Sequence, residues 1–535
     1  MSHTPRVTTA APPRAGVRAW IGLAFLLLPT VLLFLAMTVL FMATPFIAAD
    51  LGPSGGQVLW INDIYGFMMA GFLVAMGSLG DRIGRRRILL AGAAVFGAAS
   101  VVAAYAPNAE VLIAARAAMG LGAAALMPAT LSLTAVMFRD ERQRGVAIGL
   151  WAASVSVGVA VGPLVGGLLL ESFWWGAALL VGVPVMALVL VAVPLLVPEY
   201  RDPDAGRLDP LSVLLSLGAL LPFVYGVKKV AETGPSVLSV AAVVTGVVLA
   251  AVFVRRQLRL DEPLLDMRLF ANREFSGSLA VYMLAAIALG GVYLLFTQYL
   301  QLVAEQTPLR AGLWILPAAV VLVLVSVVTP IIARRVRPAT VIAAGLLLSV
   351  VGYVVLTQVD AVAGLPTLIV GFYVLYPGIA PTMALVPGMV IGSAPPEKAG
   401  AASAVESTAS DLGVALGVAL LGSIGTAVYR LRMADAVPEG VPAGDAAAAS
   451  DTLPGALTAA EGLPAELGAA VTASARAAFT SGLNTAAVVA AVLSAAAAVL
   501  AVALLRRVPP TGAAPAEGRS EDVEEPEERR VGAEM

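Results

Sequence analysis

Three ionisable side chains interrupt stretches that are otherwise apolar. Asp63 stands in Leu59-Trp60-Ile61-Asn62-Asp63-Ile64-Tyr65, Arg116 in the run 112–124, and Glu406 about eight residues beyond Lys398. A charge at the centre of a membrane-crossing helix costs about 2.5–3.5 kcal/mol on the most lenient scale, so it is expected to face a partner or a wetted interior. A carboxyl group in a dry pocket can load a proton and release it when water reaches the pocket from the other side. Asp63 and Glu406 are the candidate carriers for such a cycle, and Arg116 is expected to face the bundle interior and to have a partner there. Ser403 and Ser410, at i−3 and i+4 of Glu406, share its helical face and suit either protonation state.

Aromatic residues lie close to these charges. Trp60 and Phe67 flank Asp63 at i−3 and i+4, and Trp151, Tyr293, Trp314 and Tyr373 fall on other apolar stretches. Aromatic faces accept organic cations and flat lipophiles without demanding one shape, which makes these six the candidate substrate-binding residues. The chain has no cysteine, and its single histidine, His3, lies in a polar leader. Disulfides and thiolate metal sites are therefore excluded, and no metal or cofactor is expected. Nothing in the charge pattern suggests a nucleic-acid surface.

The elements that hold these residues must be membrane helices. Of the 535 residues, 59% are hydrophobic and 13% charged, with a mean hydropathy of +0.91, more apolar surface than one soluble core can bury. Apolar windows of spanning length fall near 20–45, 58–80, 88–106, 110–135, 146–170, 175–197, 211–227, 236–254, 275–299, 311–333, 339–357, 366–392, 399–428 and 479–505. These fourteen windows place both termini on one side. Of the 33 Lys and Arg residues, the opposite side then receives Lys228, Lys229, Arg310, Arg430, Arg432 and Arg476, Arg116 lies within the membrane, and the rest share the side of the termini. That asymmetry orients the termini to the cytoplasm. The stretch after residue 20 is too long for a cleaved signal and is expected to stay as the first crossing. Residues 430–478 are expected to form a long outer loop, with an amphipathic hairpin drawn from Leu463, Leu467, Val471 and Ala475. The acidic tail after 509 reads as disordered.

Two motifs bear on conformational change. Between the second and third windows runs Gly77-Ser78-Leu79-Gly80-Asp81-Arg82-Ile83-Gly84-Arg85-Arg86-Arg87. Gly77 and Gly84 permit a tight turn, and Asp81 can pair with the basic cluster or cap a neighbouring helix, a charge latch that holds one end shut in one state. In the fifth window Gly158, Gly162 and Gly166 recur every four residues, with Pro163 and Gly167 beside them. That stripe lets a facing backbone approach closely, and the proline adds a kink.

Taken together, these motifs resemble the major facilitator superfamily, and within it the fourteen-helix drug:proton antiporter branch of QacA-type and SmvA-type quaternary-ammonium efflux pumps. The resemblance extends through Leu51-Gly52-Pro53-Ser54-Gly55, Trp174-Trp175, residues 263–270, Gln298-Tyr299-Leu300-Gln301, and residues 399–406 and 412–417. It implies an all-α polytopic fold: an N-terminal tail (1–19), a six-helix lobe (20–197), an inserted helix pair with its linker (198–274), a second six-helix lobe with the outer loop (275–505) and a C-terminal tail (506–535). It further implies rocker-type alternating access, Arg116 in the place of the family's proton-relay arginine, and the Gly158–Gly167 motif as the mark of export. The implied protein is a monomeric antiporter of the cell membrane. It takes lipophilic or cationic drugs and protons as substrates and has no cofactor.

Departures from the pattern are informative. Ala36 stands where the family's first helix carries an acidic residue, Leu322 aligns with another acidic position, and a glutamate pair is reduced to Glu406-Ser407. Coupling is then expected to fall chiefly on Asp63 and Glu406, which favours neutral or monovalent compounds over divalent ones. A dedicated exporter of one antibiotic or metabolite, or a weakly coupled facilitator, fits the same residues.

Overall fold

The computed structural model describes residues 15–510 except 139, 202–208, 261, 262, 264 and 395–398. The leader, Lys398 and the acidic tail lie outside the described residues, and the expectations placed on them lie there too.

Among the described residues all regular elements are helical. In chain order they are α1 (Val17–Leu51), α2 (Gly55–Ile83), α3 (Arg85–Ala104), α4 (Ala109–Met137), α5 (Glu141–Ser172), α6 (Trp175–Leu180), α7 (Gly182–Leu196), α8 (Pro210–Thr233) and α9 (Val237–Gln257). After a 3-10 turn come α10 (Arg273–Gln298), extended by a π-turn, then α11 (Pro308–Ala333), α12 (Pro338–Leu356), α13 (Leu365–Gly392), α14 (Ala399–Ala434), α15 (Ala443–Asp451), α16 (Leu453–Glu461) and α17 (Ala465–Leu505). Local sequence starts these helices: Ser54 and Gln57 form a reciprocal capping box, Asn108, Asp140, Asp209 and Thr307 cap through their side chains, and proline begins α8, α11 and α12.

Among the described residues thirteen helices, counting α6 with α7 as one, are long and apolar enough to cross a membrane. The fourteenth crossing is α2, bent by 51° between Leu73 and Ala75. The chain is a multi-pass membrane protein.

One packing plan occurs twice. In the first half α1 packs on α5, α2 and α3 on α4, and α1 and α3 on α7. In the second half α10 packs on α14, α11 and α12 on α13, and α10 and α12 on α17. The halves meet where α2 lies along α14 and α5 along α11. The pair α8–α9 packs on itself and touches the bundle through α2 and α14. Most residues of α9 are exposed, as befits a helix facing lipid.

The seam between the halves is closed at one end and open at the other. Residues 149, 163 and 167 fall on one face of α5, since eighteen residues make five full turns. At Gly167 a Cβ would lie 2.5 Å from the Pro308 carbonyl oxygen of α11, and at Gly312 of α11 it would lie 2.5 Å from the Pro163 carbonyl oxygen. At Gly149 nothing stands within 4 Å. The cores tell the same story. One apolar cluster joins residues of both halves, among them Phe41, Ile47, Leu294 and Phe372. At the end bearing the basic Arg85–Arg87 loop, the second half has a separate core built from Phe275, Ile342, Val386 and Ala501.

The outer-loop expectation is corrected in one respect. Leu463, Leu467, Val471 and Ala475 do not form a hairpin: from Ala465 onward the chain is the first part of α17, and Val471 and Ala475 are buried against the bundle. The hairpin is α15–α16, which buries Ala449, Leu453 and Ala456 in the shared core. Tyr429 donates to the Ala449 carbonyl (2.7 Å), Arg430 pairs with Asp451, and the Gly55 amide donates to the same carboxylate (3.3 Å). This hairpin therefore ties α2 to α14 at the closed end.

Candidate functional site

Asp63 and Arg116 are almost completely buried, at 2% and 0% exposure. The α2–α4 contact brings them together, and Arg116 feels the Asp63 carboxylate electrostatically. Arg116 also stands over the Tyr65 ring, 4.6 Å from its centroid, and Arg116 Nε donates to the Ile61 carbonyl (3.4 Å). The cation–π contact and the nearby carboxylate offset the desolvation of a guanidinium that no water bathes. Tyr65 is fixed in turn by donating to the Leu33 carbonyl of α1 (3.2 Å).

The second half contributes two carboxylates from α14. Glu406 and Asp411 are 8% and 7% exposed. Each helical step advances about 1.5 Å, so five residues set them roughly 7.5 Å apart along the axis, within electrostatic reach of each other. Tyr282 of α10 feels both and shares a hydrogen bond with Ser410. Asp411 also reaches Tyr65 electrostatically across the seam. The seam is tight here because residue 66 is glycine: a Cβ there would sit 3.1 Å from the Ala415 methyl.

Sequence reading missed Asp411. Its i+5 offset from Glu406 turns it to another face of the helix, so a search for same-face partners passes it by. The rule that singled out Glu406, a carboxylate within an apolar crossing, applies equally to Asp411.

Depth orders these groups. Since α2 and α14 run antiparallel along the seam, with Gly422 beside Leu59 and Gly66 beside Ala415, Glu406 lies nearest the open end. Asp411 follows, then Tyr65 with Arg116, and Asp63 lies nearest the closed end. Ionisable groups thus line the seam in a series from the open side toward the shut side.

The six candidate aromatics divide. Tyr293 is buried in a cluster with Phe41 of α1 (5.6 Å between centroids) and with Phe372 and Tyr376 of α13 (6.2 and 6.3 Å), where the two halves meet. Trp151 donates to the Thr130 hydroxyl (3.1 Å) on the α5–α4 contact. Trp60 is half-buried beside Phe67, 6.4 Å away. Phe67 packs with Val224, Ala415 and Ala419 in the core joining α2, α8 and α14. Trp314 is 38% exposed and its carbonyl accepts the Tyr373 hydroxyl (2.9 Å), which joins α11 to α13.

The basic loop is latched within its own half. Asp81 pairs with Arg85, and Arg82 closes the last turn of α2. Gly84 adopts φ +117°, a conformation that favours glycine, and a Cβ there would meet the Glu199 carboxylate at 2.7 Å. Glu199 accepts from the Arg86 amide (2.8 Å) and pairs with the Arg86 and Arg87 guanidinium groups (3.8 Å each). A carboxylate at the N-terminus of α3 is where the helix dipole favours negative charge. Gly77 has open room, its nearest neighbour being Pro128 at 3.7 Å. On α5, Gly158, Gly162 and Gly166 face Val31, Thr38 and Val39 of α1, whereas Pro163 and Gly167 face α11.

Comparison with known proteins gives this geometry a context. The family model described as Major Facilitator Superfamily matches residues 26–418. The chain is 44% identical to the "Multidrug efflux pump LfrA" of Mycolicibacterium smegmatis over 93% of its own length and 99% of that protein's. It is 36% identical to the "Methyl viologen resistance protein SmvA" of Salmonella typhimurium, covering 86% and 93% of the two chains. Among solved structures, a bacterial homolog of the human lysosomal transporter Spinster, in an inward-facing and unoccupied conformation, superimposes with a TM-score of 0.62 at 18% identity, covering 91% and 98% of the two chains.

Proposed function

The chain belongs to the major facilitator superfamily, and from that premise we propose that it is a proton-driven multidrug exporter of the cell membrane. Lipophilic and cationic compounds leave by alternating access, and protons enter in exchange. The relatives named for multidrug efflux and for methyl viologen resistance support the substrate class. The observation that carries the coupling is the buried series Glu406, Asp411, Tyr65–Arg116 and Asp63 along the α2–α14 seam.

The proposed topology places both termini and the basic Arg85–Arg87 loop in the cytoplasm, as the distribution of Lys and Arg favours. On that orientation the described state is open inward and shut outward. Residues 20–197 and 275–505 act as the two rocking lobes, and the α8–α9 pair rides on their seam. The proton gradient is the energy source, with no bound cofactor, and the protein works as a monomer.

In the exchange a compound enters from the cytoplasm toward the Tyr293 cluster while Glu406 and Asp411 give up protons to the water-filled side. Two buried carboxylates without protons, close enough to repel each other, favour binding a cation. Rocking then wets Asp63 and its neighbours from outside, where protons reload the series and the compound departs.

On this reading Asp411 joins the two acids read from the sequence. Each charge crossing the membrane is worth about 2.3 kcal/mol per 100 mV, so a dication needs at least two protons in return. Glu406 and Asp411 together can supply them, and divalent compounds come within reach despite Ala36 and Leu322.

Inverted vesicles loaded by an imposed pH gradient test the proposal. Dye uptake should be strong in the wild type, collapse when the gradient is dissipated, and fall at least tenfold in Asp63→Asn and Glu406→Gln. Uptake that survives gradient collapse would make the protein a facilitator.

A further inference from the structure

Two seams join the halves, one between α5 and α11 and one between α2 and α14. We propose that membrane-dissolved compounds enter the interior sideways, between α5 and α11 at the open end, while α8 shuts the α2–α14 side against them. The inference rests on the exporter reading and adds the door through which its lipophilic substrates arrive.

Exposure grades along the facing stripes of α5 and α11. On α5, Gly149, Ala153, Ala160, Pro163 and Gly167 share one face at 3.6 residues per turn. Gly149 and Ala153 are exposed, Ala160 is half-buried, and Pro163 and Gly167 are buried. On α11, Gly312 and Pro330 stand five full turns apart on one face. Gly312 is buried, Val323 between them is half-buried, and Pro330 is exposed. The two helices run antiparallel from the contacts of Gly167 with Pro308 and of Gly312 with Pro163. Continuous packing would carry Gly149 to Ser326 and Gly145 to Pro330. Instead, among the described residues nothing stands within 4 Å of a Cβ at Gly145 or Gly149. The helices therefore part toward the open end, and a cleft between them connects the interior with the side of the bundle.

That cleft suits a lipophile. Residues 145–167 of α5 and 311–333 of α11 include no charged side chain. Gly149 lies about 7.5 Å further into the helix than Arg144, a depth at which the surroundings are lipid chains.

The other seam is built differently. α8 lies across it: at Gly71 of α2 a Cβ would stand 2.6 Å from Leu217 Cδ2, and Val224 packs with Phe67 of α2 and with Ala415 and Ala419 of α14. α9 packs on α8 in turn, with most of its residues exposed. A compound leaving the bilayer on this side must displace the inserted pair. Among the described residues α5 and α11 have no counterpart of α8 packed across them. The inserted pair thus makes the two flanks of the bundle unequal.

Photocapture in lipid nanodiscs tests the route. p-Benzoylphenylalanine is placed at 153, at 150 on the lipid-facing side of the same turn, or at 217 in the full chain, and radiolabelled tetraphenylphosphonium is the probe. Capture at 153 should exceed that at 150 several-fold, and 217 should stay at background. In inverted vesicles Gly149→Trp and Ala153→Trp should slow tetraphenylphosphonium uptake by about tenfold, the size of an overpacking barrier. Leu150→Trp should leave it unchanged, and melting temperatures confirm that each variant is folded. Methyl viologen, which stays in water, should be taken up by every variant at the wild-type rate. Capture at 153 no higher than at 150, capture at 217 equal to that at 153, or wild-type uptake of tetraphenylphosphonium in both Gly149→Trp and Ala153→Trp would overturn the proposal. Equal loss of both probes would overturn it as well, since bulk there would then hinder rocking and not entry. Photocapture needs no proton gradient, so it judges the route separately from the exporter reading, which gradient-driven uptake by the wild type decides.

Discussion

Replacing Gly167 by alanine should drive the closed end of the seam open. A Cβ at this position would lie 2.5 Å from the Pro308 carbonyl oxygen and 2.7 Å from Leu309 Cα, and both obstacles are backbone. Neither can swing aside as a side chain would, so α5 and α11 must part. Overpacking of this kind costs about 1–3 kcal/mol. The cost falls on the state in which these helices touch and vanishes when they separate, so the ratio of the two states should shift by about 5- to 150-fold. Since the chain has no cysteine of its own, Leu59→Cys introduces a single thiol. Leu59 is 6% exposed and packs on Gly422 at the closed end, where a maleimide reaches it only when that end opens. The labelling rate follows the population of the open state and should rise by the same factor in Gly167→Ala. Gly145→Ala, where nothing lies within 4 Å, is the control and should leave the rate unchanged. An unaltered rate in Gly167→Ala, or an equal rise in Gly145→Ala, would refute the reasoning.

Other substitutions probe other parts of the structure. Arg116→Gln removes the buried positive charge whose field Asp63 shares and should lower the melting temperature; adding Asp63→Asn should restore part of the loss, whereas additive losses would show the two do not interact. At the base of α8, hydrogen bonds and charge from Arg256 (2.7 Å) with a further bond from Ser212 (2.6 Å) hold the Asp209 carboxyl at about 2, below the usual carboxylate range. A lowered folded value means this anchor is fully present above the unfolded value of about 3.9 and is lost as pH falls through about 2. The melting temperature should therefore be no lower at pH 5 than at pH 7 on account of this anchor, and lower at both in Asp209→Asn.

Much of this was legible in the sequence because bilayer thickness dictates it. Fourteen crossings follow from windows of spanning length, and the structure has them at the same places. Asp63, Arg116 and Glu406 could be singled out because charge inside an apolar helix is costly, and all three are buried. What stayed hidden depends on tertiary partners. Asp411 gains meaning from Tyr65 across the seam, and Glu199 from its place at the start of α3, 113 residues from Arg86. Phe67 has the same composition-level signal as Tyr293, yet one fills a packed core and the other joins the cluster between the halves. The 463–475 run has a helical period whether it forms a hairpin or extends a crossing, and periodicity alone does not tell these apart.

Proton release on drug binding tests the central claim most directly. Purified protein in weakly buffered detergent at neutral pH is saturated with a divalent cationic dye, and the released protons are counted with a pH indicator. If the buried carboxylates exchange protons for the compound, the wild type should release more protons than Glu406→Gln or Asp411→Asn, the double variant should release almost none, and each single variant should lose affinity for a dication more than for a matched monocation. Undiminished release from the double variant, with binding intact, would contradict the claim that these carboxylates carry the protons.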